Sequence, residues 1–167
     1  SELPEARVVA SRLLAERLST EETEEEATRE KLGSLVRAAP VPAVADALAD
    51  SLSRAMEKGA SDFWSRAFVA WSSDPDPRLR ALGPSAFAHL FGRGKAPERL
   101  FDALQLARRL FSDADPAVRR ALLALLASAG RRQGAAVERF LSGFDADDRL
   151  DVKKLVAEVR KRLGPRG

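Results

Sequence analysis

The sequence contains no cysteine and a single histidine, His89. The first absence excludes disulfides and thiolate metal sites, and the second excludes metal sites built on paired histidines. Tyrosine is also absent, and runs rich in Ile, Val or Thr are scarce. Ala and Leu dominate instead, which favours helix and leaves almost no evidence for strands. No apolar stretch approaches the roughly 18 residues that a membrane span needs. The opening residues lack the basic-then-apolar pattern of a secretory signal. These absences predict a cytoplasmic, all-α protein with no membrane attachment. At 167 residues it is one domain's worth of chain, enough to bury roughly 70% of the unfolded surface.

The formal charge of +3 conceals a polarity. Residues 1–60 carry 8 Lys and Arg against 12 Asp and Glu, whereas residues 61–167 carry 20 against 13. Arg outnumbers Lys throughout, and its planar fork suits phosphate and carboxylate, so an anionic partner is one expectation. A solvated, arginine-rich surface is the other.

One phrase occurs twice. Ser73-Asp74-Pro75-Asp76-Pro77-Arg78-Leu79-Arg80 returns as Ser112-Asp113-Ala114-Asp115-Pro116-Ala117-Val118-Arg119, 39 positions later. Each copy ends one helical pattern and starts another. Asp at an N-cap accepts a bond from an orphan backbone N–H, and Pro at the first helical position gives up only an unpartnered amide hydrogen. Arg four residues after that Asp can reach back across one turn. A period near 40 built from helix pairs is the signature of HEAT-like repeats.

The apolar spacing predicts helices over Pro4–Leu18, with Val9, Leu13 and Leu14 on one side, and from a Ser19–Glu22 capping box towards Ala39. Pro42–Lys58 follows, stopped by Gly59, with Val44, Leu48, Leu52 and Met56 inward. A short aromatic helix capped by Ser61 holds Phe63, Trp64 and Phe68 as core residues, and Trp71. The first joint opens a helix carrying Leu79, Leu82, Phe87 and Leu90, which Gly83-Pro84 should kink or split. Gly92-Arg93-Gly94-Lys95 has no preceding strand and no Walker spacing, so it reads as a flexible turn. Pro97–Phe111 buries Leu100, Leu104, Ala107 and Phe111. Pro116–Ala129 should end at Gly130, before a short helix around Val137, Phe140 and Leu141. The last helix runs from near Asp147 to Leu163, and its basic turn Arg160-Lys161-Arg162 complements the negative helix end.

Aligned on the first apolar residue, the repeat frames begin at Val44, Leu79, Val118 and Val152. Four such frames are enough to bury a continuous core. The expected architecture is an all-α, HEAT-like α-α superhelix, a solenoid of antiparallel helix pairs with a concave face. It forms a single helical-repeat domain over 1–167, with acidic N-terminal helices in 1–40 and repeats in 41–167.

Three stretches within residues 42–167 carry a resemblance. They are Val44-Ala45-Asp46-Ala47-Leu48-Ala49, then Trp71-Ser72-Ser73-Asp74 through Leu79-Arg80-Ala81, and finally Asp115–Leu126 with Val137-Glu138-Arg139-Phe140-Leu141. Together they resemble the HEAT-like alkylpurine DNA glycosylases of the DNA alkylation repair family. The resemblance implies that Asp46 occupies the catalytic carboxylate position. There it would stabilise positive charge developing on the sugar as the base departs, and help a water attack. It also implies that Arg80 contacts phosphate and that Trp71 is a candidate stacking residue. Where the family carries two further tryptophans, this chain has Pro42 and Ala124, and an aromatic wall that would hold a cationic purine is missing. Read from its neighbours alone, Asp46 is an exposed carboxylate near a helix N-terminus, favoured there by the macrodipole.

The arginines also carry two readings. In one, Arg80, Arg108, Arg109, Arg119, Arg120, Arg131 and Arg132 form a phosphate track, giving salt-dependent and sequence-independent affinity. In the other, Arg80 and Arg119 belong to an intrahelical or inter-repeat Asp–Arg ladder. Exposed pairs of that kind contribute only about 0.3–0.5 kcal/mol. Arg108-Arg109 and Arg131-Arg132 have no such local explanation. His89 reads as a residue at the end of its helix. The expected function is binding rather than chemistry, with duplex DNA on a basic concave face, no metal, no cofactor, and a monomeric chain. An acidic protein on that same face, in a protein–protein scaffold, is the competing class. A working glycosylase with displaced aromatics is the third.

Overall fold

A computed structural model describes residues 25–38 and 42–165. The expected helix Pro4–Leu18, with Val9, Leu13 and Leu14, and the Ser19–Glu22 capping box lie outside the described residues. Seven α-helices and no strand occur among those described. They are α1 (Glu25–Ala38), α2 (Pro42–Ala55), α3 (Ser61–Trp71), α4 (Pro77–Gly92), α5 (Leu100–Leu110), α6 (Pro116–Ser142) and α7 (Leu150–Leu163). A wide turn over Met56–Ala60 links α2 to α3, with Gly59 at φ 114°, and a 3-10 turn over Pro97–Arg99 leads into α5.

Helices α2, α4, α6 and α7 pack in succession, each against the next. Helix α3 lies against α4 and α5, and α5 also touches α4 and α6. The stripes expected from the sequence meet in one connected core from Leu32 to Val159. Leu48, Leu52, Leu79, Leu82, Leu90, Leu122, Leu125 and Val152 are all fully buried. Trp64 and Phe68 lie at the centre, and the Phe68 ring meets Phe87 edge-on at 5.7 Å. Phe111 stacks on Phe144 with ring centroids 4.0 Å apart.

The repeated phrase forms two joints of the same design. In the first, Asp74 Oδ1 accepts from Asp76 N–H, and Asp76 Oδ1 caps α4 by accepting from Arg78 N–H. In the second, Asp113 Oδ1 accepts from Asp115 N–H, and Asp115 Oδ1 accepts from Ala117 N–H. A third joint precedes α7, where Asp147 Oδ1 accepts from Arg149 N–H, although the N-cap there is Arg149 and gives no side-chain cap. Asp74, Asp113 and Asp147 thus hold one position in successive repeats.

Several local expectations change. Arg80 does not reach back to Asp76; its guanidinium crosses to Asp113 in the following joint, at 2.7 Å. Side chains in a first helical turn lean towards the helix N-terminus, and α4 and α6 lie side by side, so the next joint is the nearer partner. Arg119 likewise donates to the Asp151 carbonyl, while Arg78 is the residue that closes on Asp76. Gly83-Pro84 does not split α4, which runs unbroken. Gly83 is there for space, because a Cβ would lie 2.7 Å from Phe68 Cβ and from Leu106 Cδ2. Gly130 does not stop its helix either. The backbone leaves helical geometry at Gln133 (φ −125°, ψ 41°), while Gly130 makes room for the Leu163 side chain of α7. Leu104 is only partly buried, and Ala103, Leu106 and Leu110 take the inner face of α5.

Candidate functional site

Asp46 stands on the second turn of α2, with its side chain 73% exposed. Its Oδ1 lies 3.1 Å from His89 Nε2, on α4. The other ring nitrogen, Nδ1, lies 3.8 Å from Asp50 Oδ1. Asp50 Oδ1 also accepts from Arg93 at 3.0 Å, and Arg93 donates further to Ser53 Oγ and Glu57. Burial pushes the Asp50 carboxyl up, but the Arg54 hydrogen bond and the charges of Arg54, His89 and Arg93 outweigh it and hold the group below its ordinary value. The imidazole therefore sits between a fixed, partly buried carboxylate and an exposed one. A surface carboxylate steered in this way can stabilise a positive charge or accept a proton from water.

The Gly92–Lys95 segment is consequently tied down rather than free, because Arg93 anchors it to Asp50 and Ser53 of α2 and to Glu57 in the turn that follows. The Arg132 guanidinium lies against Gly94, which has φ +69° and no side chain to obstruct it.

The arginines singled out from the sequence divide into groups. Arg80 and Arg119 are engaged by the joints, as described. Arg108 and Arg109 stand on α5. The Arg108 guanidinium lies 5.5 Å from the Phe140 ring centroid and 5.7 Å from that of Phe144, and Arg109 Nε donates to Ser72 Oγ. Arg120, Arg131 and Arg132 are exposed on α6. Arg120 and Arg131 share a helical face with Leu123, Ala124 and Ala127, all at spacings of three or four. Trp71 is 5% exposed and packs near Phe68, 6.2 Å between centroids. Ala124 adds no ring to the α6 face.

The register of the repeats relates these positions. Asp46, Ala81, Arg120 and Lys154 are equivalent on α2, α4, α6 and α7. Arg119 and Arg120 face Lys154 and Lys161 across a groove of about 540 Å³ between α6 and α7, with Glu158 the one carboxylate in its wall. Sequence reasoning missed both that groove and the Asp46–His89 contact. The contact joins residues 43 apart on α2 and α4, and the repeat frame gives no signal of it, because that frame pairs Asp46 with Ala81. Among the described residues no cluster of His, Asp and Glu could hold a metal ion. No helix there is long and apolar enough to cross a membrane.

Stacked helices joined by Asp-capped turns, with an exposed carboxylate on α2 and basic side chains along α6 and α7, define an all-helical protein. The chain belongs to the DNA alkylation repair enzyme family, whose model matches residues 1–155. No curated protein and no solved structure matches it.

Proposed function

We propose that this chain is a HEAT-like superhelix that holds the backbone of duplex DNA on the outward face of α2, α4, α6 and α7. The observation that carries this reading is the set Arg120, Arg131, Lys154 and Lys161. These cations occupy the α6–α7 end of the face, and none has an ion-pair partner among the described residues. Family membership supports DNA as the anion. Four phosphate contacts give a log–log salt slope of about −3 to −4, and each neutralising substitution on the face flattens it by about 1. A duplex titration at two salt concentrations reads this directly. Absence of salt-sensitive binding at low salt overturns the reading.

A second reading is supported by the Asp46–His89 hydrogen bond. Asp46 is an accessible carboxylate with a fixed orientation on the DNA-holding face, and it acts on an alkylated base whose glycosidic bond is already weakened by positive charge. Protein in excess over a duplex containing 7-methylguanine should release the free base, and Asp46→Asn should abolish that release. No release by the wild-type protein eliminates catalysis and leaves the binding role.

A further inference from the structure

The opposite side of the molecule carries a different kind of surface. Helices α3 and α5 lie side by side and leave a groove of about 440 Å³ between them. Its floor is apolar, formed by the buried Phe87 and Leu106. Three large apolar side chains are conspicuously exposed among the described residues, and two of them flank this groove. Val69 in one wall is 41% exposed. Phe101 is 69% exposed and stands one turn before Gln105, which lines the other wall. Exposed aromatic and aliphatic groups beside an apolar cleft mark an interaction site rather than ordinary surface.

Ser65 stands in the same wall, and its covered Oγ has no hydrogen-bond partner among the described residues, as is also true of Trp64 Nε1 in the core beside it. A ligand of this groove is therefore selected by the apolar floor and by the charges around it.

The charges around the groove specify that ligand. Arg66 stands in the α3 wall, already drawn to a carboxylate, with its NH2 3.2 Å from Glu25. Arg109 lies one turn beyond Gln105 and reaches over towards α3, where it holds only the Ser72 hydroxyl. The one acidic wall residue, Asp102, is neutralised by Arg99 at 3.2 Å. The apolar cleft therefore carries one guanidinium in its α3 wall, in an exposed pair with Glu25, and a second, that of Arg109, one turn beyond its α5 wall with no carboxylate partner among the described residues. We propose that the α3–α5 groove docks an amphipathic helix of a partner protein, with apolar anchors in the cleft and carboxylates against Arg66 and Arg109. This surface is separate from the DNA-holding face, because Arg66, Phe101 and Arg109 stand on helices that contribute nothing to that face.

The test uses the full chain, isotopically labelled, and a synthetic amphipathic peptide of Leu and Glu, with a Leu and Lys counterpart. The Glu peptide should shift amide resonances clustered at Ser65, Val69, Phe101, Gln105 and Arg109. Phe101→Ser and Arg109→Glu, both surface changes, should each weaken it about tenfold or more and leave duplex DNA affinity unchanged. The proposal is overturned if the Lys peptide binds as well, if the shifts fall on α6 and α7, or if neither peptide binds. It is also overturned if Phe101→Ser abolishes self-association of the chain in sedimentation, which would assign the groove to a second copy. Weaker, less salt-dependent DNA binding in Arg120→Ala with peptide binding intact keeps the two surfaces distinct.

Discussion

Arg80 in the first joint grips Asp113 in the second through Nε to Oδ2 at 2.7 Å and NH2 to Oδ1 at 3.3 Å. The same guanidinium donates through NH1 to the carbonyls of Asp74 and Pro75. Arg37 makes the corresponding reach from α1 to Asp74, at 2.6 Å. Each repeat thus clasps the next at its N-terminal corner. Both side chains of the Arg80–Asp113 pair are well covered, at 20% and 13% exposure, so this contact differs from an ordinary surface pair. Arg80→Ala should destabilise the protein by about 1–3 kcal/mol, because it strands a half-buried carboxylate and two carbonyls. Urea denaturation would show a lower midpoint with an unchanged slope.

The clasp also has a pH signature. Burial pushes the Asp113 carboxyl up, but hydrogen bonds from Arg80 and the Asp115 amide, with the Arg80 and Arg119 charges, hold it below its ordinary 3.8. A carboxyl depressed in the folded state contributes stability in full above its unfolded value and loses it as pH falls through the folded one. The wild-type protein should therefore lose stability below about pH 4, and Arg80→Ala should flatten that dependence. An equal slope in both proteins would contradict the assignment.

Asp147 offers a spectroscopic check on the third joint. The Arg149 side chain and then its backbone N–H bond the carboxylate, lowering its pKa to about 2. Carbon-detected NMR titration should find Asp147 ionised to about pH 2, with Arg149→Ala returning it towards 3.8. The direction is the same as for Asp113, with the contribution fading only in strong acid.

Two glycines should respond in opposite directions to alanine. At Gly83 a new Cβ meets Phe68 Cβ at 2.7 Å, an atom that cannot swing aside. Overpacking of about 1–3 kcal/mol should exceed the roughly 1 kcal/mol that alanine gains in a helix. At Gly134 nothing lies within 4 Å, so alanine should stabilise by about 0.4–1 kcal/mol. Thermal melts of the two variants decide this, and equal shifts in one direction would contradict the packing described.

Much of the fold was legible because capping chemistry and apolar spacing are local. Asp76-Pro77 and Asp115-Pro116 announced the starts of α4 and α6, and the stripe Val44, Leu48, Leu52, Met56 announced the buried side of α2. Glycine was harder to read. Gly83 and Gly130 look like helix breakers in sequence, yet each yields space to a neighbouring helix, and only tertiary packing reveals that. The site was legible only in pieces. Asp46 stood out by resemblance, but its partner His89 lies in the next repeat. Arg80 could be suspected of forming a ladder, but the direction of its reach depends on α4 and α6 lying side by side.

The central claim is that the outward face of α6 and α7 holds DNA. Its most direct test is duplex binding measured against salt for the wild-type protein, Arg120→Ala, Lys154→Ala and, as a control on the other side, Arg109→Ala. The account predicts a steep salt dependence for wild type, flattened by about 1 in slope for each of the first two variants and unaltered by the third. Equal effects from all three, or no binding at low salt, would contradict it.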